Sequence, residues 1–511
     1  MRLKTAVVIG AACLFMASLV SCSSGGGGGG EPAITYVVSG SVSGLTGTGL
    51  VLQNNGTDDL PISSNTTFTF TSRIAAQGSY AVTVKTHPST QSCFVSNGTG
   101  TATADVTNVR VVCHASGSPD AGFGTSGIVT TPVGTNNDFS ARAVAVQADG
   151  KIVAAGTGNS GIAVVRYKTD GTLDSAFGAN GIVSTLVGTF SGVARSVAIQ
   201  SDQKIVAAGS VWTGSKNDVA VVRLNADGTL DNSFGISGIV STPVGTMRAE
   251  VYALAIQSDN KILAAGYFQN ASDYDAVLLR YLPNGELDST FGSGGIVILN
   301  IGPYDEFEAI ALQPDNKILA AGGTDYNGFL LVRYLPNGTP DTTFGTNGIV
   351  LTDIAGAQDF ATAVIRQPDG KIVLAGSTTN SNPALFDYTL VRYNENGSID
   401  TAFGTNGMAT VPILCNNDFG ATVALQSDGK IVIAAPGSVT GSAPFDTIVV
   451  RYLPNGTPDT GFGTNSKVTE SMGASEVPYA MAIQADGMIL VAGVDDWGGS
   501  NSNFALLRLY P

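Results

Sequence analysis

The sequence contains little charge and almost no histidine. Only 13% of its 511 residues are Asp, Glu, Lys or Arg, and its two histidines are His87 and His114. Residues 117–511 therefore cannot form a histidine-ligated zinc site or a Ser-His-Asp triad of their own. Helical periodicity over long stretches is absent, as is a glycine-rich phosphate loop between a strand and a helix. These absences exclude several enzyme classes and shift the expectation away from catalysis.

The residues that are abundant predict an all-β protein of two or more domains. The chain has 65 glycines and 43% apolar residues, arranged as many short β-branched runs separated by turns. Such a length exceeds what one ordinary core supports. The formal net charge of −15 argues against binding to nucleic acid or to an anionic membrane surface.

Residues 1–21 have the pattern of an export signal, with Arg2 and Lys4 before an apolar run. The run ends in Leu-Val-Ser-Cys, which resembles the bacterial lipobox and implies lipidation of Cys22. A glycine-rich tether over residues 22–33 would follow. We therefore expect a lipoprotein of the bacterial cell envelope that touches the membrane through its N-terminal lipid alone. Ser23 resembles the signal for sorting to the outer membrane.

Residues 34–115 predict a small β-sandwich, immunoglobulin-like or prealbumin-like, that acts as a spacer or an adhesive module. Export permits a disulfide between Cys93 and Cys113, the two cysteines of this segment. Cys415 has no partner and is expected to be buried.

Residues 117–511 contain three motifs, each repeated seven times. The first, Asp-x-x-Phe-Gly, recurs every 53 to 59 residues with its aspartate at Asp120, Asp174, Asp231, Asp288, Asp341, Asp400 and Asp459. The second, Gln-x-Asp-Gly-Lys-Ile and its variants, begins at Gln147, Gln200, Gln257, Gln313, Gln367, Gln426 and Gln484. The third, Val-Arg-Tyr and its variants, has Arg166, Arg223, Arg280, Arg333, Arg392, Arg451 and Arg508.

Together these motifs resemble the delta-60 repeats of bacterial surface proteins, which are similar to NHL-type propellers. The resemblance implies a fold and no specific activity. Each copy has four short apolar runs, which is the content of one propeller blade. In the first copy we predict strands at 143–147, 151–155, 163–167 and 181–186, named a to d from the channel outward. The prediction is a seven-bladed β-propeller over 117–511.

The ring is expected to close through strands from the two ends of this segment. The seventh copy stops after its strand c, whereas Asp120 opens an outer strand that has no blade before it. Each of the first six arginines precedes an aspartate by eight residues, and Arg508 has none after it. We therefore predict that Arg508 pairs with Asp120, which would leave no sheet edge exposed.

Features shared by all seven copies are expected to be structural, because a catalytic group is needed once. The Asp and Arg should form ion pairs, the Asp-Gly should form the tight a–b turn, and the Phe should pack between blades. Function is expected on the face formed by the b–c and d–a connections, which vary between copies. Aromatic candidates for binding there are Trp212, Tyr267, Phe268, Tyr274, Tyr326, Phe386 and Trp497.

The d–a connections also carry acidic residues before the repeated glutamine. A ring of these carboxylates at the channel mouth would suit Ca²⁺, although a solvated acidic rim is the simpler alternative. The candidates are Asp138, Glu250, Asp305 or Glu306, Asp359, Asp418 and Glu476.

The leading hypothesis is a surface-anchored binding module without catalysis, which recognises an extracellular polysaccharide or an envelope protein. The alternatives are a structural or adhesive envelope protein with no discrete ligand, and a carboxylate-dependent glycan hydrolase or lyase. No cofactor is expected apart from Ca²⁺.

Overall fold

The structure, a computed structural model, describes residues 33–134, 139–159, 161–187, 192–271, 273–325, 328–354, 358–379, 386–415, 420–438, 444–499 and 502–511. Cys22 and the expected signal and tether lie outside these residues, so the lipid anchor stays a prediction. None of the described residues belongs to a helix that is long and apolar enough to span a membrane.

The first unit is a β-sandwich of two four-stranded sheets, with a further short two-stranded sheet. Its strands are β1 Thr35–Tyr36, β2 Val38–Ser43, β3 Leu50–Asn54, β4 Asp58–Ile62, β5 Thr67–Thr69, β6 Ile74–Ala75, β7 Ser79–Thr86, β8 Gln91–Ser96, β9 Thr99–Thr101 and β10 Val106–Ala115. Alternate residues of these strands face one shared core, as the period of a half-buried strand requires. Cys93 and Cys113 form a disulfide between β8 and β10.

The second unit is a propeller of seven four-stranded antiparallel blades. Strands a are Ala141–Val146, Gly192–Ile199, Arg248–Ile256, Asp305–Leu312, Asp359–Arg366, Thr422–Leu425 and Val477–Ile483. Strands b are Ile152–Gly158, Ile205–Trp212, Ile262–Gln269, Ile318–Thr324, Ile372–Thr379, Ile431–Gly437 and Ile489–Val494. Strands c are Gly161–Tyr167, Asn217–Leu224, Tyr274–Tyr281, Phe329–Tyr334, Phe386–Tyr393, Asp446–Tyr452 and Phe504–Leu509. Strands d are Ile182–Thr185, Ile239–Thr242, Ile296–Leu299, Ile349–Thr352, Met408–Cys415, Lys467–Glu470 and, for blade 7, Ile128–Thr131.

Each strand a contacts the strands a of both neighbouring blades, and blade 7 contacts blade 1 in the same way. The predicted seven-bladed ring is therefore confirmed. Apolar residues of strands b and c are buried on both faces, because every blade is covered by a blade on each side. The resulting cores lie between neighbouring blades.

The repeated motifs meet at one point in each blade, on the face of the a–b and c–d turns. The arginine Nε donates to the aspartate carboxylate at 2.7–2.9 Å, and the guanidinium lies 4.3–4.5 Å from the ring of the repeated Phe. In blades 1 to 6 the lysine of the a–b turn also binds the aspartate, at 2.5–3.3 Å. The shared charges are thus used inside the blades, as predicted.

Blade 7 differs at this point because Met488 stands where the other blades have the lysine. Asp120 instead accepts a hydrogen bond from the hydroxyl of Tyr510 at 2.8 Å, in addition to those from Arg508. Strand Ile128–Thr131 pairs with strand Phe504–Leu509 in antiparallel register. The predicted closure of the ring by strands distant in sequence is confirmed.

The closure also includes the c–d turn of blade 7, which is built from two segments that are not joined covalently. Gly117 N donates to Tyr510 O and Tyr510 N donates to Ser118 O, both at 2.9 Å. In blade 1 the c–d turn makes the same two bonds between Lys168 and residues 171 and 172. Gly117 has φ +84°, and a Cβ added there would lie 2.7 Å from the Val468 side chain. Residues 116–118 therefore complete the c–d turn of blade 7.

The sandwich is held against this seam. The His114 ring stacks on the Tyr510 ring at 3.8 Å, and Ser116 Oγ donates to the Pro511 carbonyl at 2.5 Å. Ser92 of β8 also donates to that carbonyl. Because β10 ends at Ala115, directly before the split turn, the sandwich positions the residues that seal the propeller.

Candidate functional site

The described carboxylates do not form the predicted acidic ring. Each of Glu250, Asp305, Asp359 and Glu476 is buried and bound by its own blade's connection or by a neighbouring arginine. Asp305 accepts backbone N–H groups of Ile301 and Gly302 at 2.7 and 3.0 Å. Among the described residues no group of three or more His, Cys, Asp or Glu is placed to hold a metal ion. Asp138 and Asp418 lie outside the described residues.

The other three carboxylates have similar structural partners. Asp359 accepts from Ile354 N at 2.8 Å and from the Thr378 hydroxyl. Glu476 accepts from Gly473 N and Thr447 N, both at 2.9 Å. Glu250 binds Arg195 at 3.1 Å and Arg248 at 2.5 Å. These side chains shape the d–a connections, since a buried carboxylate needs such donors.

The aromatic candidates divide into buried and exposed residues. Tyr267 and Phe268 are 3% and 4% exposed, so the expectation that they offer a binding surface is wrong. Phe268 belongs to the core between blades 2 and 3, and Tyr267 packs against Tyr252 and Tyr274. Both lie in strand b of blade 3, which runs to Gln269 and carries them into the sheet.

Trp212 and Trp497 are the exposed members, at 44% and 38%. Trp212 is the last residue of strand b of blade 2, and Trp497 lies in the b–c connection of blade 7. Tyr274 is half-buried. Tyr326 lies outside the described residues, and the side chain of Phe386 is not described.

A cavity of about 590 Å³ occupies the channel mouth on the b–c/d–a face. Its lining includes one residue from each strand a or the segment before it, always five positions before the repeated glutamine. These residues are Arg142, Arg195, Tyr252, Glu308, Thr362, Ala421 and Tyr479. We call them the mouth ring.

A β-bulge produces this ring. In blades 1 to 5 and 7 the a–b register shifts across the ring residue, for example between Ala141 and Ala143 and between Val251 and Ala253. A bulge adds one residue to a strand and re-aims a side chain. Ala141 and Val251 are fully buried, whereas Arg142 and Tyr252 are half-exposed to the channel. The bulge of these six blades, together with the equivalent position of blade 6, thus presents side chains of five residue types at equivalent places.

The mouth ring is chemically asymmetric. Blades 1 and 2 contribute Arg142 and Arg195, blade 4 contributes Glu308 with nearby Glu306, and blades 5 and 6 contribute small residues. Each arginine lies over a tyrosine of the adjacent blade: Arg142 is 4.1 Å from the Tyr479 ring centroid, and Arg195 is 4.8 Å from that of Tyr252. The positive charges are therefore held in place on one side of the mouth.

The environment also fixes the protonation of Tyr252. Burial raises the pKa of the Tyr252 hydroxyl, and the negative charge of Glu308 raises this pKa further. The phenol is therefore neutral at physiological pH, as an ordinary tyrosine is, and remains neutral in more alkaline solution. Burial lowers the pKa of Arg195, but the negative charge of Glu250 outweighs this effect, so the pKa of Arg195 lies above its normal value.

A second cavity of about 390 Å³ opens beside the first, between blades 7 and 1. Arg142, Tyr479 and Trp497 line both cavities. The smaller cavity also contacts Ser140, Ser502 and the glycines after Trp497. The two spaces form one site, with an exposed indole, an arginine and a phenol around their junction.

Of the predicted binding residues, the structure thus places Trp497 in this site and Trp212 outside it. The mouth ring was missed, although the repeated glutamine gives its position in every copy. Comparison of the copies at that position finds Arg, Arg, Tyr, Glu, Thr, Ala and Tyr, the variation expected of a functional position in a repeat.

Comparison with known proteins gives a repeat family and distant structural likeness. Seven segments match the family described as "Domain of unknown function (DUF5122) beta-propeller", at residues 147–177, 200–234, 257–291, 313–344, 367–403, 426–462 and 484–511. No curated protein matches the chain.

Three solved structures illustrate the structural likeness. A protein of unknown function from Dyadobacter fermentans is 12% identical over 75% of this chain and 99% of its own, with a TM-score of 0.38. The polysaccharide lyase Uly1 is 12% identical over 72% and 89%, with a TM-score of 0.40. The NanB sialidase from Streptococcus pneumoniae is 10% identical over 94% and 93%, with a TM-score of 0.37.

Proposed function

We infer that this chain, which carries seven copies of a β-propeller repeat of unknown function, is a binding module that recognises carbohydrate at its channel mouth. The ligand is an extracellular polysaccharide, held by the mouth ring and Trp497. The observation that carries this proposal is that one equivalent position from each of the seven blades lines a single cavity, with side chains of five residue types, and that a bulge in strand a lies at this position in six blades.

The chemistry of the site suits a sugar. An exposed indole offers an apolar face on which a pyranose ring can stack, while the rims supply hydrogen-bonding groups. The larger cavity, of about 590 Å³, falls in the range of small-ligand sites, roughly 300–1,000 Å³. A cavity of this size accommodates a short segment of a glycan chain and is narrow for a folded protein domain.

Glycan hydrolysis or lysis is the second candidate, because Glu306 and Glu308 line the same cavity as Trp497. Paired carboxylates are the usual catalytic groups of glycosidases. Incubation of the purified protein with any glycan it binds, followed by assay of reducing ends or of new double bonds, separates this candidate from binding alone. If these carboxylates are catalytic, the substitutions Glu306→Gln and Glu308→Gln would abolish the formation of product.

The test of the binding proposal is a glycan array followed by titration of the best ligand. Trp497→Ala is expected to weaken binding about 10-fold or more, since stacking on an exposed aromatic ring is lost. Trp212→Ala is the matched control, because it removes the other exposed indole from outside the site and should leave affinity unchanged.

Equal affinity of both variants and the wild type would place the ligand elsewhere and contradict the proposal. Binding of envelope proteins with no glycan signal would favour the protein-partner or structural alternatives. The melting temperature of each variant should match that of the wild type, because both indoles are exposed.

A further inference from the structure

We propose that Asp495 is a positioning residue of the binding site, which fixes the indole of Trp497 at the junction of the two cavities. This inference rests on the carbohydrate-binding function proposed above and adds a residue that acts on the ligand through another side chain. Asp495 is 9% exposed, and the described residues that line the two cavities do not include it. We therefore expect its effect on binding to pass through Trp497.

Asp495 closes the base of the b–c connection of blade 7, which carries Trp497. Asp495 directly follows strand b of this blade, and Asn503 directly precedes strand c. The two carboxylate oxygens of Asp495 accept hydrogen bonds from Asn503, one from its backbone N at 2.7 Å and one from its Nδ2 at 2.9 Å. A buried carboxylate is stable only with such donors. The pair therefore holds the two ends of the connection together.

The same connection is attached to the segment that precedes strand a of blade 7. The Asp495 carbonyl accepts a hydrogen bond from Ala474 N at 2.9 Å, and Trp497 N donates to Ser475 O at 2.6 Å. A Cβ added at Gly473 would lie 2.1 Å from the Asp495 carbonyl oxygen, so the glycine permits this close approach. The backbone is thus held both at Asp495 and at Trp497.

The indole itself lies beside a buried ring of blade 6. The centroids of the Trp497 and Phe445 rings are 6.2 Å apart, and Phe445 is 1% exposed. Ser475 links the two residues, because its Oγ accepts from Phe445 N at 3.2 Å while its carbonyl accepts from Trp497 N. A side chain held in this way loses little conformational entropy when a ligand stacks on it. Loosening of the connection would add that cost to binding.

Blade 3 contains an equivalent pair in which the amide and the carboxylate are exchanged. Asn270 is the first residue after strand b of blade 3, and its Nδ2 donates to Asp275 Oδ2 at 3.2 Å. Asp275 lies five positions before the repeated arginine, as Asn503 does in blade 7. The fold therefore uses both arrangements of this pair, and we expect blade 7 to accept the arrangement of blade 3.

Acrylamide quenching of Trp497 fluorescence tests the positioning directly and needs no glycan. Every variant carries Trp212→Phe, so that Trp497 is the single tryptophan. Asp495→Ala is expected to raise the quenching constant about twofold or more, because a loosened connection exposes the indole more often. Asp495→Asn combined with Asn503→Asp creates the arrangement of blade 3 and should restore the quenching constant of the parent protein.

Asn270→Ala is the matched control, because it opens the pair of blade 3 and should leave the quenching of Trp497 unchanged. Each variant is measured well below its own melting temperature, so that global unfolding does not contribute. A quenching constant in Asp495→Ala equal to that of the parent would overturn the inference. Failure of the exchanged pair to restore the constant would also overturn it, since the bond between the two side chains would then not hold the connection.

The affinity for the glycan that binds best on the array tests the consequence for recognition. Asp495→Ala should weaken binding about threefold or more. In a Trp497→Ala background the same change should add almost nothing, because the side chain that Asp495 positions is gone. Losses that add in the double variant would overturn the inference while the binding function stands. If no glycan on the array binds, the proposed function fails, and the quenching constants alone decide whether Asp495 positions Trp497.

Discussion

Asp120→Ala is expected to lower the melting temperature of the protein sharply, with a loss of about 3–5 kcal/mol in unfolding free energy. Arg508 is buried and donates two hydrogen bonds to Asp120, at 2.8 and 2.5 Å. Removal of the carboxylate leaves this charge uncompensated. The hydroxyl of Tyr510, which lies in the split turn, loses its acceptor as well.

Asp288→Ala is the matched control, because Asp288 pairs with Arg280 at 2.9 Å in the same geometry. Blade 3 is covalently continuous, so loss of the ion pair between Asp288 and Arg280 should not open the ring. Hydrogen exchange in strand d of blade 7, Ile128–Thr131, should accelerate in Asp120→Ala and stay slow in Asp288→Ala. Equal exchange of this strand in the two variants would contradict a seam held by Asp120.

Acid is expected to unfold the propeller through the same seven aspartates. Burial alone would raise the pKa of Asp288, but hydrogen bonds from Thr290, the charge of Arg280 and a hydrogen bond from Lys261 outweigh it and lower this pKa to about 2. The pKa values of the other six repeated aspartates are also lowered. Each group therefore binds a proton less readily in the folded protein than in the unfolded chain.

A carboxylate with a depressed pKa in the folded state contributes stability that is complete above its unfolded pKa. This contribution is lost as the pH falls through the folded value. For Asp288 the window runs from about 4 down to about 2 and represents about 2 kcal/mol. Because the motif recurs in every blade, denaturant midpoints should fall steeply over this window.

Denaturant unfolding at pH 6, 4 and 3 measures the effect. The slope of stability against pH should be smaller in Asp288→Asn than in the wild type, since one of the titrating groups is gone. If the unfolding free energy stays constant from pH 6 to 3, the charge of these carboxylates does not stabilise the folded protein. That result would contradict a stabilising role of the ion pairs described above.

Sequence reasoning predicted the ring because its evidence is periodic. The seven motifs, their spacing and the missing aspartate after Arg508 together determine the number of blades and the closing pair. The split turn is also readable in retrospect, since Ser116-Gly117-Ser118-Pro119-Asp120 continues Leu509-Tyr510-Pro511 as a complete c–d turn would. The ion pair between the a–b turn lysine and the repeated aspartate in blades 1 to 6 could not be predicted from the sequence. The two residues lie in different connections and have no fixed spacing along the chain.

The site was harder to predict because strand ends and bulges decide which side chains reach the channel. Tyr267 and Phe268 are buried because strand b of blade 3 continues to Gln269 and includes both residues. Glu250 and Asp305 resemble an acidic rim in the sequence, but Glu250 binds an arginine of the neighbouring blade and Asp305 binds backbone N–H groups of its own blade. The mouth ring depends on a register shift in strand a, and this shift cannot be recognised from the amino-acid composition of the strand.

The shared ion pairs and the proposed binding site lie on opposite faces of this propeller. The shared aspartates, arginines and phenylalanines lie at the a–b and c–d turns, whereas the variable mouth ring lies near the start of strands a. Substitutions in the ring should change ligand preference with little effect on folding. This separation allows one repeat to support different binding sites.

The most direct test of the account uses the two tryptophans of the chain. In a Trp212→Phe variant, Trp497 is the single tryptophan, so its fluorescence reports on the junction of the two cavities alone. Titration with the glycan that binds best on the array is predicted to change the Trp497 emission in a saturable way, with the same dissociation constant that calorimetry gives. Calorimetric binding that leaves this emission unchanged would contradict the assignment of the channel mouth as the binding site.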